Sequence, residues 1–270
     1  MPTSAPAKPG DTSLIAPAKP RVFERIVEFL RAEIEAGRLR PGDRLKPERE
    51  LAAELGVGRG SLREALKTLE VLDVIELRHG LGAYVSLPQP ETLSKIFGTL
   101  LSMQPGQHDD IMDARIALEC QAVRLASRNA RTRDINRMRL ALSSLQAEAV
   151  SRSGEQGAQA DHEFHSAIME ATGNATFVFL YSAITSLLKR SHHERWLTLF
   201  CIEESLHALN RVHQEIFECI LEGDEDRAAA AMAGHFRIIA EILADHATTQ
   251  GGQPIASIAF RSRPGKQRRK

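Results

Sequence analysis

The stretch Leu45–Ser86 constrains this chain more than any other, because the spacing of its apolar residues changes there and each change is punctuated by glycine. Pro47 suits the first turn of a helix, where its missing N–H is not needed, and Leu51, Ala52 and Leu55 form that helix's buried stripe until Gly56 ends it. After a short turn, Leu62, Ala65, Leu66 and Leu69 repeat at helical spacing. Arg59, Arg63 and Lys67 form an i, i+4, i+8 row beside them. Ser61 and Glu64 have capping-box spacing, with a start near Gly58 as the alternative. Val74–Leu77 and Ala83–Val85 are β-prone runs joined by His79-Gly80-Leu81-Gly82, which predicts a hairpin. Helix, turn, helix and hairpin in that order predict a winged helix-turn-helix.

Upstream, Val22, Ile26, Phe29, Leu30 and Ile34 predict an amphipathic helix from Arg21 to Gly37. Residues 1–20, rich in Pro, Ala, Lys and Ser without apolar periodicity, are expected to be disordered. Residues 21–86 thus form one domain and 87–90, Leu-Pro-Gln-Pro, a linker. Residues 91–247 carry almost nothing but helix patterns, broken near Gln104-Pro105-Gly106, Asn129-Ala130-Arg131, Ser153-Gly154, Gly173-Asn174 and Gly223-Asp224. These breaks predict a second domain of about six helices. Residues 248–270 hold six basic and no acidic residues among Gly and Pro, and are expected to be a disordered basic tail. It is either a solvated terminus or a nonspecific attraction for phosphate. The fold class is mainly α: an N-terminal winged helix-turn-helix with a small β-hairpin wing, plus an all-α C-terminal helical bundle.

Composition narrows the setting. Three cysteines, Cys120, Cys201 and Cys219, without C-x-x-C spacing indicate neither a disulfide framework nor a Cys-type zinc site. The N-terminal apolar run Leu14-Ile15-Ala16 is too short for a signal peptide, and no stretch approaches the roughly 18 apolar residues of a membrane span. A cytoplasmic protein is expected. The net charge of zero hides 15 basic against 22 acidic residues in 91–247.

A helix in the major groove needs side chains that reach phosphates and base edges, and the arginine fork does both. Arg59 and Arg63 are placed for that; Arg49 would approach the backbone, and the His79-Gly80 tip would touch phosphate or enter the minor groove. The bland alternative is a solvated helix face. The run PERELAAELGVGRGSLREALKTLEVLDVIELRHGLGAYVS closely resembles the GntR-family winged helix, with its Glu-Arg-x-Leu-Ala, Gly-Val-x-Arg, Arg-Glu-Ala-Leu and Gly-x-Gly-x-x-Val elements. The resemblance covers about residues 21–86 and implies DNA contacts by Arg49, Arg59, Ser61, Arg63, His79 and Gly80. This chain departs from the pattern with Lys46-Pro47 and with glycines on both sides of Arg59, which remove side-chain caps and leave base choice open.

A second constellation lies in the helical region. Asp161 and His165, four apart, share a helix face. His213 and His235 each stand 11 residues from Asp224, so in an antiparallel hairpin they sit level, about 16 Å from the turn. One carboxylate and three imidazoles suit zinc, nickel, cobalt, iron or manganese, with positions left for a ligand's carboxylate. His162 lies about 100° around its helix from Asp161. His192, His193 and His207 have no partner at useful spacing, and all four are read as ordinary surface or core residues.

This region resembles the FCD domain of the FadR-type branch of GntR regulators, with its Asp-x-x-x-His, Gly-Asn and two later histidines. By that resemblance Asp161, His165, His213 and His235 are metal ligands and Asn174 is structural. Arg115 sits in the apolar stripe Ile111, Leu118, Ala122, Leu125, where a charge requires a partner. That partner is either Glu119 at i+4 or an effector carboxylate held bidentately, and the family's Asp-x-x-x-x-Arg-x-x-x-Glu element favours the effector.

The resemblance implies a non-enzymatic, homodimeric transcription regulator. It would bind palindromic operator DNA as a repressor and be released by a small hydroxy- or oxo-acid such as lactate, pyruvate or glycolate. Two alternatives stay open: a metal-dependent enzyme fused to a DNA-binding module, for which no general-base or oxyanion motif is found, and a regulator whose metal is purely structural.

Overall fold

The computed structural model describes residues 22–101, 103, 107–151, 154–200 and 202–249. The disorder expected of 1–20 and of the tail beyond 249, and the break at Gln104-Pro105-Gly106, fall outside these residues. The chain divides into two compact units with the boundary between Gln89 and Pro90. Pro90 is therefore the first residue of a helix and not the end of a linker, in keeping with proline's tolerance of a first turn.

The first unit contains α1 (Val22–Glu35), α2 (Glu48–Leu55), α3 (Arg59–Val71), β1 (Ile75–Arg78) and β2 (Gly82–Val85). Its core joins Ile26 and Leu30 of α1, Leu51 and Ala52 of α2, Leu62, Ala65, Leu66 and Leu69 of α3, and Ile75, Ala83 and Val85 of the hairpin. Each fully buried leucine contributes roughly 1.5–3 kcal/mol. Gly56, at φ 60°, turns the chain left-handed; its N–H donates to the Ala53 carbonyl, and the turn brings the Val57 N–H back to the Ala52 carbonyl, which ends α2. Pro47 is the residue before α2 and not its first helical residue. Gly58 precedes α3 and offers no side-chain cap, so the Ser61/Glu64 capping box does not form.

The hairpin pairs Ile75 with Val85 and Arg78 with Gly82, antiparallel, around a turn at His79-Gly80-Leu81. The residues before α2 add a further edge that sequence periodicity did not signal. Arg44 bridges to Tyr84, the Leu45 N–H donates to the Ala83 carbonyl, and the Val85 N–H donates to that of Asp43.

The second unit holds α4 (Pro90–Leu101), α5 (Gln107–Asn129), α6 (Thr132–Ser151), α7 (Gly154–Ala171), α8 (Ala175–Phe200), α9 (Glu203–Glu222) and α10 (Glu225–Thr249). That is one helix more than the sequence breaks suggest. The α8–α9 break follows Phe200, where the sequence Phe-Cys-Ile-Glu has no glycine, proline or strong cap to announce it. The other starts carry local causes. Asn174 Oδ1 accepts from the N–H groups of Thr176 and Phe177 at the start of α8, and Asp224 Oδ1 accepts from the Arg227 N–H at the start of α10. The core runs through Val123, Ala126, Met138, Phe164, Ile168, Ile216 and Met232. Among the described residues, no helix is long and apolar enough to cross a membrane.

Candidate functional site

Asp161 and His165 lie one turn apart on α7, whose buried face also carries Phe164 and Ile168. Gly223, at φ 72°, makes the tight turn that folds α10 back along α9. His213 of α9 and His235 of α10 consequently stand level, with ring centroids 4.5 Å apart. The His165 ring is 5.6 Å from that of His213 and 5.0 Å from that of His235. One ligand atom from each of Asp161, His165, His213 and His235 can be chosen so that all lie within 4.8 Å of one another. All four residues are buried, His165 and His213 with no exposure at all.

Buried polar atoms are normally satisfied, yet Asp161 Oδ1, His165 Nε2, both His213 nitrogens and His235 Nδ1 have no hydrogen-bond partner among the described residues. His213 Nε2 lies 3.0 Å from Asp161 Oδ1, close enough to attract but not aligned as a hydrogen bond. A divalent cation would satisfy one orphaned atom on each of the four residues, and the donor set of three imidazoles and one carboxylate is one such cations accept.

Glu119 of α5 completes the geometry. One of its oxygens meets His165 Nδ1, and the other accepts from Arg115 Nε at 2.6 Å. An ionised Glu119 makes Nδ1 the N–H of a neutral His165. Nε2 is then the lone-pair nitrogen, facing Asp161 Oδ1 at 3.6 Å, as in a carboxylate–histidine–metal relay. Burial opposes charge on Glu119, but His165 and Arg115 hold its carboxyl down to about 2. Burial also opposes charge on His165, yet Glu119 and Asp161 outweigh it and raise the imidazole to about 9. Asp161 is likewise held well below the usual carboxylate range by His165 and His213 against the cost of burial. His235 is pushed well down by burial and then by the neighbouring His213 and His165.

Arg115 is only 3% exposed, with Phe236 and Tyr181 rings 5.4 and 5.9 Å from its guanidinium carbon. Glu119 is thus its intramolecular partner. That bond engages Nε and, among the described residues, is the only hydrogen bond the guanidinium makes.

Two residues of α8 join the site without having been singled out from the sequence. His192, read as having no partner, has its Nε2 3.6 Å from Asp161 Oδ2 and 3.3 Å from the Ala158 carbonyl, and burial lowers it to about 4. Arg195, one turn further on, is 5% exposed and touches Met112 Sδ at 3.5 Å. Local periodicity could show only that both fall on the inward face of α8 with Tyr181 and Leu188. His162 points elsewhere, as expected, stacking on Tyr181 with ring centroids 6.1 Å apart. The two line a separate cavity of about 440 Å³ with Ser166, Gln159 and Arg137.

On the first unit, Arg49, Arg59, Ser61, Arg63, His79 and Gly80 are all exposed. Arg49 and Arg59 make no ion pair among the described residues, whereas Arg63 pairs with Glu48 across α2 and α3 at 2.7 Å. The wing adds two arginines that sequence reasoning passed over. Arg78 lies 4.1 Å from the Tyr84 ring centroid and pairs with Glu76, and the Arg44 side chain runs beside Gly82. The free guanidinium groups at the start of α3 and on α2, with the glycine-tipped wing, form a surface suited to phosphate and base edges.

Comparison with known proteins gives this architecture a lineage. The family of bacterial regulatory proteins called gntR matches residues 23–85, and the FCD domain family matches residues 110–238. The chain is 28% identical to the putative L-lactate dehydrogenase operon regulatory protein of Escherichia coli, over 81% of this chain and 85% of that protein. It is 30% identical to the Uxu operon transcriptional regulator of the same organism, over 83% of this chain and 87% of that protein. The solved structure of Streptococcus agalactiae GntR shares the fold, with a TM-score of 0.59 at 23% identity, over 81% of this chain and 98% of that one. With both domain matches in order along the sequence and a relative at 30% identity over 83% of this chain's length, the chain belongs to the GntR family, in its FCD-domain branch, and is a transcriptional regulator.

Proposed function

We propose that this regulator is a cytoplasmic homodimer that represses transcription from a palindromic operator and is released by a small organic acid bound in its helical domain. Arg49, Arg59, Ser61, Arg63, His79 and Gly80 carry the DNA contacts: the exposed arginines take phosphates and guanine edges, and the wing tip lies along the backbone. Asp161, His165, His213 and His235 hold a divalent metal, of which zinc, nickel and manganese suit the donors. When bound, the metal supplies a Lewis acid for an acid's carboxylate and neighbouring oxygen.

The chain's own residues do the rest. Glu119 orients His165 and keeps Arg115 charged, and the Arg115 Nη groups face the acid while Nε stays on Glu119. Phe164 and Phe236 wall the site from water, which strengthens each polar contact inside it. The observation that carries this reading is the set of four buried ligand residues with unsatisfied atoms facing one another beside a buried arginine.

The test uses two variants. His213→Ala should lower the metal content of the purified protein, and unchanged content would remove His213 from the ligand set. Arg115→Ala should retain metal and operator binding but lose release by lactate. Normal release would return the metal to a purely structural role, and turnover of the acid would replace this reading with an enzymatic one.

A further inference from the structure

Arg195 is a buried cation for which the site described so far has no use. It is 5% exposed, and its only hydrogen bond among the described residues is from Nη1 to the thioether of Met112. A guanidinium has five donors and a full charge. Burying it against a weak sulfur acceptor is costly unless something else meets it.

Its position is specific. Met112 precedes Arg115 by one turn on α5, and His192, which reaches Asp161 Oδ2, precedes Arg195 by one turn on α8. Arg195 thus sits about 4.5 Å of helix rise beyond the point where α8 touches the ligand cluster, against the Met112 side chain one turn from Arg115.

Charge points the same way. Arg115 is matched by Glu119, and Asp161 offsets only one of the two charges of a divalent metal. Arg195 adds another, so with a divalent metal bound the cluster and its two neighbouring arginines would carry two positive charges in excess among the described residues. One carboxylate would leave a net charge buried, whereas a dianion would balance it.

We propose that Arg195 recognises a second acidic group on the effector, so that the site takes a short dicarboxylate in preference to a monocarboxylate. This rests on the reading of the cluster as an acid receptor. The first carboxylate meets the metal and Arg115; the second meets the Arg195 fork on α8. The absence of a carboxylate partner for Arg195 among the described residues is what makes the position selective, because a monoacid leaves that fork unanswered.

The test titrates the zinc-loaded full-length protein by calorimetry with lactate, with tartronate, which carries a carboxylate in place of lactate's methyl, and with malate. At least one diacid should bind about tenfold or more tighter than lactate, and Arg195→Gln should erase that margin while changing lactate affinity less than about threefold. Arg195→Lys should keep part of the margin. Equal affinity for lactate and both diacids, or a margin that survives Arg195→Gln, overturns the role of Arg195 alone. Failure of all three acids to bind the unmodified protein overturns it together with the receptor reading. A second measurement guards against a packing effect: Arg195→Met should raise the Tm of the acid-free protein, because it removes an unmatched buried charge. A lowered Tm would show that the arginine serves the fold and sink the proposal.

Discussion

The two units of this chain handle charge in opposite ways. In the winged-helix unit every buried side chain among the described residues is apolar, and the arginines proposed to contact DNA, Arg49, Arg59 and Arg63, stand in solvent. Among the described residues of the helical unit ten polar or charged side chains are buried, including Arg115, Glu119, Asp161, His165, Arg195, His213 and His235. A surface that reads DNA can stay hydrated until phosphate replaces water, so its charges cost the fold little. A receptor for a small charged ligand must exclude water to be strong and selective, so its charges are desolvated in advance and depend on one another.

The contrast implies very different sensitivities to mutation. The largest effect is expected at Glu119. Replacement by Ala leaves Arg115 buried without its carboxylate and His165 without its orienting partner, and should destabilise the helical unit by about 3–5 kcal/mol in urea unfolding. A loss under about 1 kcal/mol would show that buried charge is no more demanding here than exposed charge.

At the surface, Arg63→Ala should weaken specific operator binding about ten- to hundredfold. Its exposed pairing with Glu48 is screened by solvent, so Tm should move by no more than about 2 °C. A large drop in Tm with DNA binding preserved would reverse the assignment and make the pair structural.

The smallest effect per step is one of pH, about tenfold for each unit. In the metal-free protein, burial opposes charge on His165, but Glu119 and Asp161 raise it to about 9 against an ordinary value of 6.5. Because the folded value is raised, the stabilisation from protonated His165 is complete below about pH 6.5 and is lost as pH rises through about 9. A metal must displace the same proton from Nε2. Zinc affinity measured by competition should therefore rise about tenfold per pH unit, or roughly 1.4 kcal/mol, across that window and level off above it. An affinity flat between those limits would mean that His165 is neutral without metal.

Much of the fold is legible in the chain because it rests on short-range rules. The apolar spacing of α3, the glycine stops after α1 and α2 and the glycines of the hairpin each act within a few residues. The level placement of His213 and His235 is legible for the same reason, since one tight turn sets the register of two straight helices. The α8–α9 break, the edge formed by Asp43 to Leu45 and the missing Ser61 cap escape such rules. They depend on what the segment packs against more than on its own residues.

The sequence by itself determined the two-domain plan, the exposed arginines of the recognition helix and the four candidate ligands, because periodicity, turn chemistry and residue type act locally. Only the tertiary structure decided that Glu119, one turn from Arg115, also reaches His165, that His192 reaches Asp161, and that Arg195 is buried beside Met112 with no carboxylate to meet it among the described residues. The physical reason is that the contacts of Glu119 with His165, His192 with Asp161 and Arg195 with Met112 each join different helices. Which side chains meet there is set by the rotation and tilt at which whole helices pack, and no local spacing encodes those angles.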